Sequence, residues 1–140
     1  MTKPNLRYFN ESEFFGFYPL LNNSLLTKLD EFRHRWGRPV QVSPAPGAIV
    51  RFNGEGDESQ HNVDAWGESR AIDVFPDGME TAADRKRAFQ IAKDVGFTGI
   101  GIYTDTKPSN MMHLDVRSGS HVATWSRVAY QYRGISEVLS

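Results

Sequence analysis

The chain has 140 residues, 39% of them hydrophobic and 12% aromatic, a length for one domain and enough apolar matter for one packed core. Sixteen basic and seventeen acidic side chains leave a net charge of −1, so neither nucleic acid nor a membrane surface is an expected partner. With no cysteine, disulfides, thiolate zinc sites and a cysteine nucleophile are excluded, and any metal must be held by His and carboxylate.

The first fifteen residues carry no apolar stretch behind Lys3 and Arg7, so no secretory signal is expected, and no apolar run approaches the ~20 residues of a membrane span. A helix is predicted over Asn23–Trp36. There Leu25, Leu29, Phe32 and Trp36 form an apolar stripe, Lys28, Asp30, Arg33 and Arg35 lie off it, and Gly37 is a stop. Strands are predicted at Pro39–Ser43 and Ala48–Phe52, around the turn Pro44-Ala45-Pro46-Gly47. The stretch Asn53–Arg70 reads as a loop rich in Gly, Asp, Glu and Asn, and loops longer than about 12–15 residues are usually functional or disordered. A strand at Ala71–Phe75 follows, then a helix over Ala82–Val95 with a capping box from Thr81 to Asp84, a stripe of Ala88, Ile91, Ala92 and Val95, and Gly96 as its end. Thr98–Tyr103 and Met111–Val116 are further strands, and Ser118–Ser140 is expected to hold a helix with Val122, Trp125, Val128 and Ala129 covering the core. No repeat or linker divides residues 1–140, so the reading is a single α+β domain with a small, mainly antiparallel sheet and helices packed on one side.

Two strands share a pattern that bears on chemistry. Met112, Leu114 and Val116 alternate on one face while His113 and Asp115 point from the other, and Asp73 projects opposite Ile72 and Val74. If these strands are neighbours, Asp73, His113 and Asp115 share the face away from the core, and the preceding loop adds His61. His, Asp and His would complete three ligands of a catalytic zinc site, with the fourth position left for water; by pattern alone, such residues on the solvent face of a strand are most often only solvated. His34 and His121 read as surface residues, and the short runs Arg33-His34-Arg35 and Asp84–Arg87 as solvated helix faces.

Ser59-Gln60-His61 followed by Ala71-Ile72-Asp73 resembles the Ser-x-His…Gly-x-Ala-x-Asp signature of the D-alanyl-D-alanine carboxypeptidase family of zinc peptidases. That family includes phage L-alanyl-D-glutamate endopeptidases and VanX-type dipeptidases, and the hedgehog signalling domain shares its zinc fold. Glu11–Phe14, the Leu26-to-Val40 stretch, Ala48–Arg51, Gly99–Tyr103 and His113–Arg117 resemble further family segments in the same order, covering roughly residues 10–117. The resemblance implies this zinc fold, with His61, Asp73 and His113 as ligands of Zn2+ and Arg51 as partner of a substrate carboxylate, for which a guanidinium fork is suited. Ser59 lines the cleft or orients His61 in this reading, or simply satisfies its own turn.

Three departures stand out. His61 and Asp73 are twelve residues apart, where the family places them seven apart, with Asn62–Trp66 as an insertion; Trp66 anchors this loop or stacks on substrate. Asn110 occupies the position, three before the last His, where several members carry a catalytic acid. The Ser-Gly-Tyr-Arg stretch is matched only loosely by Ala48–Arg51. With Asn110 unable to take a proton, Asp115 is the leading candidate for the proton shuttle, its alternatives being an acceptor that orients His113 or a partner of Arg117. Asp64, Glu68 and His121 stand further from the pattern. Tyr103 is either an oxyanion donor or a core-edge residue.

The activity the resemblance implies is zinc-dependent hydrolysis of peptidoglycan stem peptides through a metal-activated water, by a monomer of the kind phages encode as lytic enzymes. Such an enzyme is made in the bacterial cytoplasm and acts on the wall after release or as part of a virion. The alternative is a zinc-stabilised binding or virion structural domain that kept the ligands and lost hydrolysis.

Overall fold

The computed structural model describes residues 2–140. Leu25, Leu26, Leu29, Phe32 and Trp36 fall on one face of helix α1 (Asn23–Trp36) and are all buried. The Asn22 side chain accepts the Leu25 N–H at its start, and Gly37, at φ 80°, ends it in the left-handed region that favours glycine. Strand β1 (Val40–Val42) follows, then a short helix α2 (Val63–Trp66), β2 (Ala71–Pro76) and α3 (Ala82–Val95), which opens on the expected Thr81–Asp84 capping box. The chain closes with β3 (Gly99–Tyr103), β4 (Met111–Asp115), β5 (Ala123–Val128) and β6 (Gln131–Arg133).

The strands form one sheet in the order β1-β2-β4-β3-β5-β6, antiparallel throughout except for the β3–β5 pair. Strand alternation divides its faces. Val40, Val42, Ile72, Val74, Ile100, Ile102, Met112 and Leu114 join the core built with α1 and with Ala88 and Ala92 of α3. The opposite face aligns Asp73 with His113, His113 with Gly101, Gly101 with Trp125, and Asp115 with both Ala71 and Gly99. The coarse expectation of an α+β domain with a mainly antiparallel sheet therefore stands. No helix among the described residues is long and apolar enough to cross a membrane.

Two expected elements are corrected. Ala48–Phe52 is not a strand; only an isolated bridge links Arg51 with Asn62. Its backbone groups are spent elsewhere: the Ala48 carbonyl accepts from Asp73 N–H, the Ile49 carbonyl from the Ser69 hydroxyl, and Arg51 N–H donates to the His61 carbonyl. The C-terminal tail holds the β5–β6 hairpin and a 3-10 turn at Ile135–Val138, not the expected helix, because alternation places Trp125 on the side away from the core and buries Ser126 beneath.

Ala129 and Tyr130, at φ 52° and 65°, form the two-residue turn between β5 and β6, a conformation with positive φ at both positions that matches the twist of paired strands. Asp105 secures it. Its carboxylate accepts the Tyr130 N–H at 2.6 Å and pairs with Arg127 at 3.0 Å. Burial pushes the Asp105 carboxyl up, but Arg127 and the Tyr130 N–H outweigh that and hold it below the usual carboxylate range. A depressed carboxyl contributes stability that is fully present above its unfolded value near ~3.9 and is lost as pH falls through its lower folded value. Asp105→Asn is expected to cost about 1–3 kcal/mol at pH 7. In acid titrations of unfolding, the gap between variant and wild type should narrow as pH drops below about 4.

Candidate metal centre

Three side chains converge where the loop before β2 crosses the sheet. Asp73 and His113 are cross-strand partners on β2 and β4, and His61 arrives from the loop. They are 8%, 8% and 2% exposed, and one ligand-type atom from each lies within 4.8 Å of the others. The face sharing expected from the alternation is thus realised, and the three residues form a group that could hold a metal ion.

The hydrogen bonds behind the rings determine what faces the centre. His61 Nδ1 lies 3.2 Å from the Ile49 carbonyl, which can only accept, so that nitrogen carries the hydrogen and Nε2 offers a lone pair inward. His113 Nε2 lies 2.7 Å from Asp115 Oδ2, so it too is the donor nitrogen and leaves Nδ1 inward. The inward atoms, His113 Nδ1 and His61 Nε2, stand 3.2 Å and 3.4 Å from Asp73 Oδ1. His61 Nε2 is buried without a hydrogen-bond partner. Two lone pairs and a carboxylate oxygen at these separations repel one another unless a cation lies among them, and the donor set fits a metal ion for that reason.

Electrostatics point the same way. Burial works against the Asp73 carboxylate, yet the imidazoles of His113 and His61 outweigh it and hold its pKa down at about 2. Burial likewise disfavours charge on His113, but the Asp115 and Asp73 carboxylates overcome it and raise the ring's pKa. The centre attracts positive charge, as a proton on His113 in the metal-free chain or as a metal cation competing for that place.

Asp115 lies behind His113. It is fully buried, and besides His113 it takes Arg117 through Nε at 2.9 Å, Nη2 at 2.6 Å and the backbone N–H at 3.1 Å. Burial opposes its charge, but His113 and Arg117 hold it well below the carboxylate range. A carboxylate so enclosed is placed to orient the imidazole and to pair with Arg117, the two alternatives to the proton-shuttle role expected for it. Two glycines make this packing possible: a Cβ on Gly99 would lie 2.1 Å from Asp115 Oδ2, and one on Gly101 would lie 2.5 Å from the Trp125 indole.

A cleft of about 220 Å³ opens over the centre, lined by residues that include Arg51, Ser59, His61, His113, Tyr103 and Trp125. Arg51 Nε donates to the Gly47 carbonyl at 3.0 Å, which aims the rest of the guanidinium. Ser59 borders the cleft while its hydroxyl accepts the His61 N–H at 3.3 Å, so it serves both the cleft and the turn. Trp66 anchors the loop by donating Nε1–H to the Ser59 carbonyl and lies under the Arg70 guanidinium at 4.3 Å. Asn110 is turned away, donating to the Met79 carbonyl at 2.9 Å, while Glu68 bonds Asn22 and Asp64 accepts the Gly54 N–H.

Sequence reasoning missed the hairpin side of the cleft: Trp125, whose ring lies 5.0 Å from His113 and beneath the Arg117 guanidinium at 5.3 Å, and Tyr132, 6.2 Å from Tyr103. The β-branched residues Val122, Thr124 and Val128 around Trp125 are the signal that would have favoured a strand there. Burial pushes the Tyr103 phenol up to about 12 against the bond it accepts from Trp125 Nε1, so it stays protonated at neutral pH.

Fold and site together define an α+β domain with a candidate metal centre on the open face of its sheet. Comparison with protein-family models, with curated proteins and with solved structures found no match for the chain.

Gly99→Ala should drive its new methyl into the Asp115 carboxylate and cost about 1–3 kcal/mol of unfolding stability. Gly134→Ala, whose nearest atom would be 3.9 Å away, should cost much less in the same denaturation assay. Asp115→Asn is expected to weaken metal affinity about 10–100-fold in competition with a chelator. Unchanged affinity with loss of turnover would instead favour the proton-shuttle role.

Proposed function

We propose that the chain is a zinc-dependent peptidase acting on the stem peptides of bacterial peptidoglycan. In this reading the domain has the fold of the D-alanyl-D-alanine carboxypeptidase family, shared with hedgehog. The observation that carries it is the inward-facing, unpartnered His61 Nε2 beside Asp73 and His113. Two imidazoles and one carboxylate suit zinc better than magnesium or calcium, which take oxygen shells. The order of the matched segments and the placing of all three ligands at one centre support the family reading.

Zinc in such a set supplies Lewis acidity and lowers the pKa of a coordinated water toward ~7. The chain's own residues do the rest. Asp115 and the Ile49 carbonyl hold the two rings with their lone pairs inward. Arg51, with its Nε engaged by Gly47, presents its remaining N–H groups to a substrate carboxylate. Tyr103, kept neutral, can donate a hydrogen bond to a carbonyl oxygen in the cleft. A phage-encoded lytic enzyme, made in the bacterial cytoplasm and reaching the wall on release or within a virion, is the setting proposed for this activity.

A second reading has a specific observation behind it. Asn110 is turned away and Asp115 is enclosed, so neither supplies a proton-transfer carboxylate, which favours a zinc-stabilised binding or virion structural domain without hydrolysis.

Purified peptidoglycan digested with zinc-loaded protein, with products identified by mass and by new amino termini, distinguishes the two. Release of stem-peptide fragments by wild type and none by His113→Ala is the expected outcome; bound zinc without cleavage across several wall types would favour the binding domain. Replacing His61, Asp73 or His113 by Ala should abolish stoichiometric zinc in metal analysis of reconstituted protein. Full retention would remove the centre from consideration.

A further inference from the structure

The imidazole of His61 is aimed by the Ile49 carbonyl, and that carbonyl belongs to a segment outside the sheet. Whatever holds the carbonyl therefore decides which nitrogen His61 turns toward the centre. A second donor reaches it. The Ser69 hydroxyl lies 2.5 Å from the Ile49 oxygen, so one carbonyl, with two lone pairs, takes both the His61 Nδ1–H and the Ser69 O–H.

The Ser69 side chain has little freedom. It is fully buried, and the Ala71 carbonyl that its oxygen also meets, at 3.1 Å, can only accept. Its hydrogen must be donated, and the shorter contact gives it to Ile49. The backbone beneath is pinned as well: the Ser69 N–H donates to the Leu20 carbonyl at 2.8 Å, and its carbonyl accepts the Asn22 N–H at 2.9 Å. Asn22 is the residue that caps α1. The Ile49 carbonyl is thus tied to the start of a fourteen-residue helix and not only to the loop that carries His61. Ser69 stands two residues before Ala71, where the Gly-x-Ala-x-Asp signature has glycine, so the hydroxyl belongs to this chain and not to that pattern.

His61 has a competing choice. With its hydrogen on Nε2, the ring would face Asp73 Oδ1, 3.4 Å away, as a donor, and would offer no lone pair to the centre. We propose that Ser69 is a positioning residue for the metal centre: by fixing the Ile49 carbonyl against Nδ1, it holds His61 in the tautomer whose Nε2 is free for a cation. This rests on the reading of His61, Asp73 and His113 as a metal set.

NMR of the metal-free full chain, through imidazole nitrogen shifts that tell the hydrogen-bearing nitrogen from the bare one, tests the proposal together with zinc affinity by chelator competition. Wild-type His61 should carry its hydrogen on Nδ1. Ser69→Ala should move a measurable share of it to Nε2 and weaken zinc binding about three- to tenfold, the worth of one neutral hydrogen bond, with the His113 shifts unchanged. Ser69→Thr keeps the donor but adds a methyl in a filled place. It should lose stability in denaturation, yet keep the Nδ1–H form and bind zinc within about twofold of wild type. A Ser69→Ala chain that is less stable but keeps the wild-type tautomer and zinc affinity overturns the proposal. Equal losses in the Ala and Thr variants that track stability overturn it too, as does a wild-type His61 with its hydrogen on Nε2. Should Ser69→Ala not fold, Ser69→Cys fills nearly the same space with a weak donor and is held to the same outcomes. Failure of the wild type to take up zinc would count against the zinc reading itself, and the tautomer alone would then decide the role of Ser69.

Discussion

Everything at this site depends on which nitrogen of each imidazole is already spent. A histidine has two, and only one can face a cation while the other makes a hydrogen bond. Here the outward nitrogens are held by acceptors of different kinds, a backbone carbonyl at His61 and an ionised carboxylate at His113. That difference has a consequence. The carbonyl orients its ring without adding a full charge, whereas Asp115 makes the His113 ring more basic and a stronger electron donor. Asp115 can remain charged at full burial because Arg117 neutralises it through the backbone and the guanidinium together.

The geometry demands room, and the sheet supplies it with missing side chains. On β3 the alternation Gly99-Ile100-Gly101 buries Ile100 in the core and leaves two bare backbone positions on the open face. The Asp115 carboxylate occupies one and the Trp125 indole the other. A methyl at either place would displace a group that supports His113 directly or packs on its ring. The glycines therefore serve the candidate metal centre at the expense of packing on that face of β3.

Where local chemistry decides structure, the chain could be read in advance. The two long helices carry apolar stripes, side-chain caps and terminating glycines within their own spans, and both fall on the expected residues. Alternation in β2 and β4 likewise placed Asp73 and His113 on one face, because a period of two follows from strand geometry alone. The misreadings arose where long-range partners decide. Ala48–Phe52 has the composition of a strand, but Asp73, His61 and Ser69 claim its hydrogen-bonding groups. Val122, Trp125 and Val128 are spaced three apart, a rhythm a helix would also show, and pairing with β3 on one side and β6 on the other turns that stretch into a strand. Asp115 was placed on the correct face, but its enclosure by Arg117 and Gly99 depends on strand register, which spacing does not carry.

The long loop before β2 shows how a candidate ligand can be held on an irregular segment. Rigid elements position side chains more reliably than loops do, yet His61 comes from a loop. The loop compensates by satisfying its own polar groups. Asn62 is fully buried; it donates to the carbonyls of Gly54 and Asp57 and accepts the N–H groups of Asn53 and Asp64. The residues that follow His61 are wound into α2, ended by Gly67 at φ 76°, so the extra length is taken up as a closed turn that leaves His61 in place. Arg51 is tied into the same knot, its N–H donating to the His61 carbonyl and its carbonyl accepting the Val63 N–H. The position of the inward-facing His61 nitrogen and that of the Arg51 guanidinium are thus set by one hydrogen-bonded unit, and a change that loosens Asn62 should move both together.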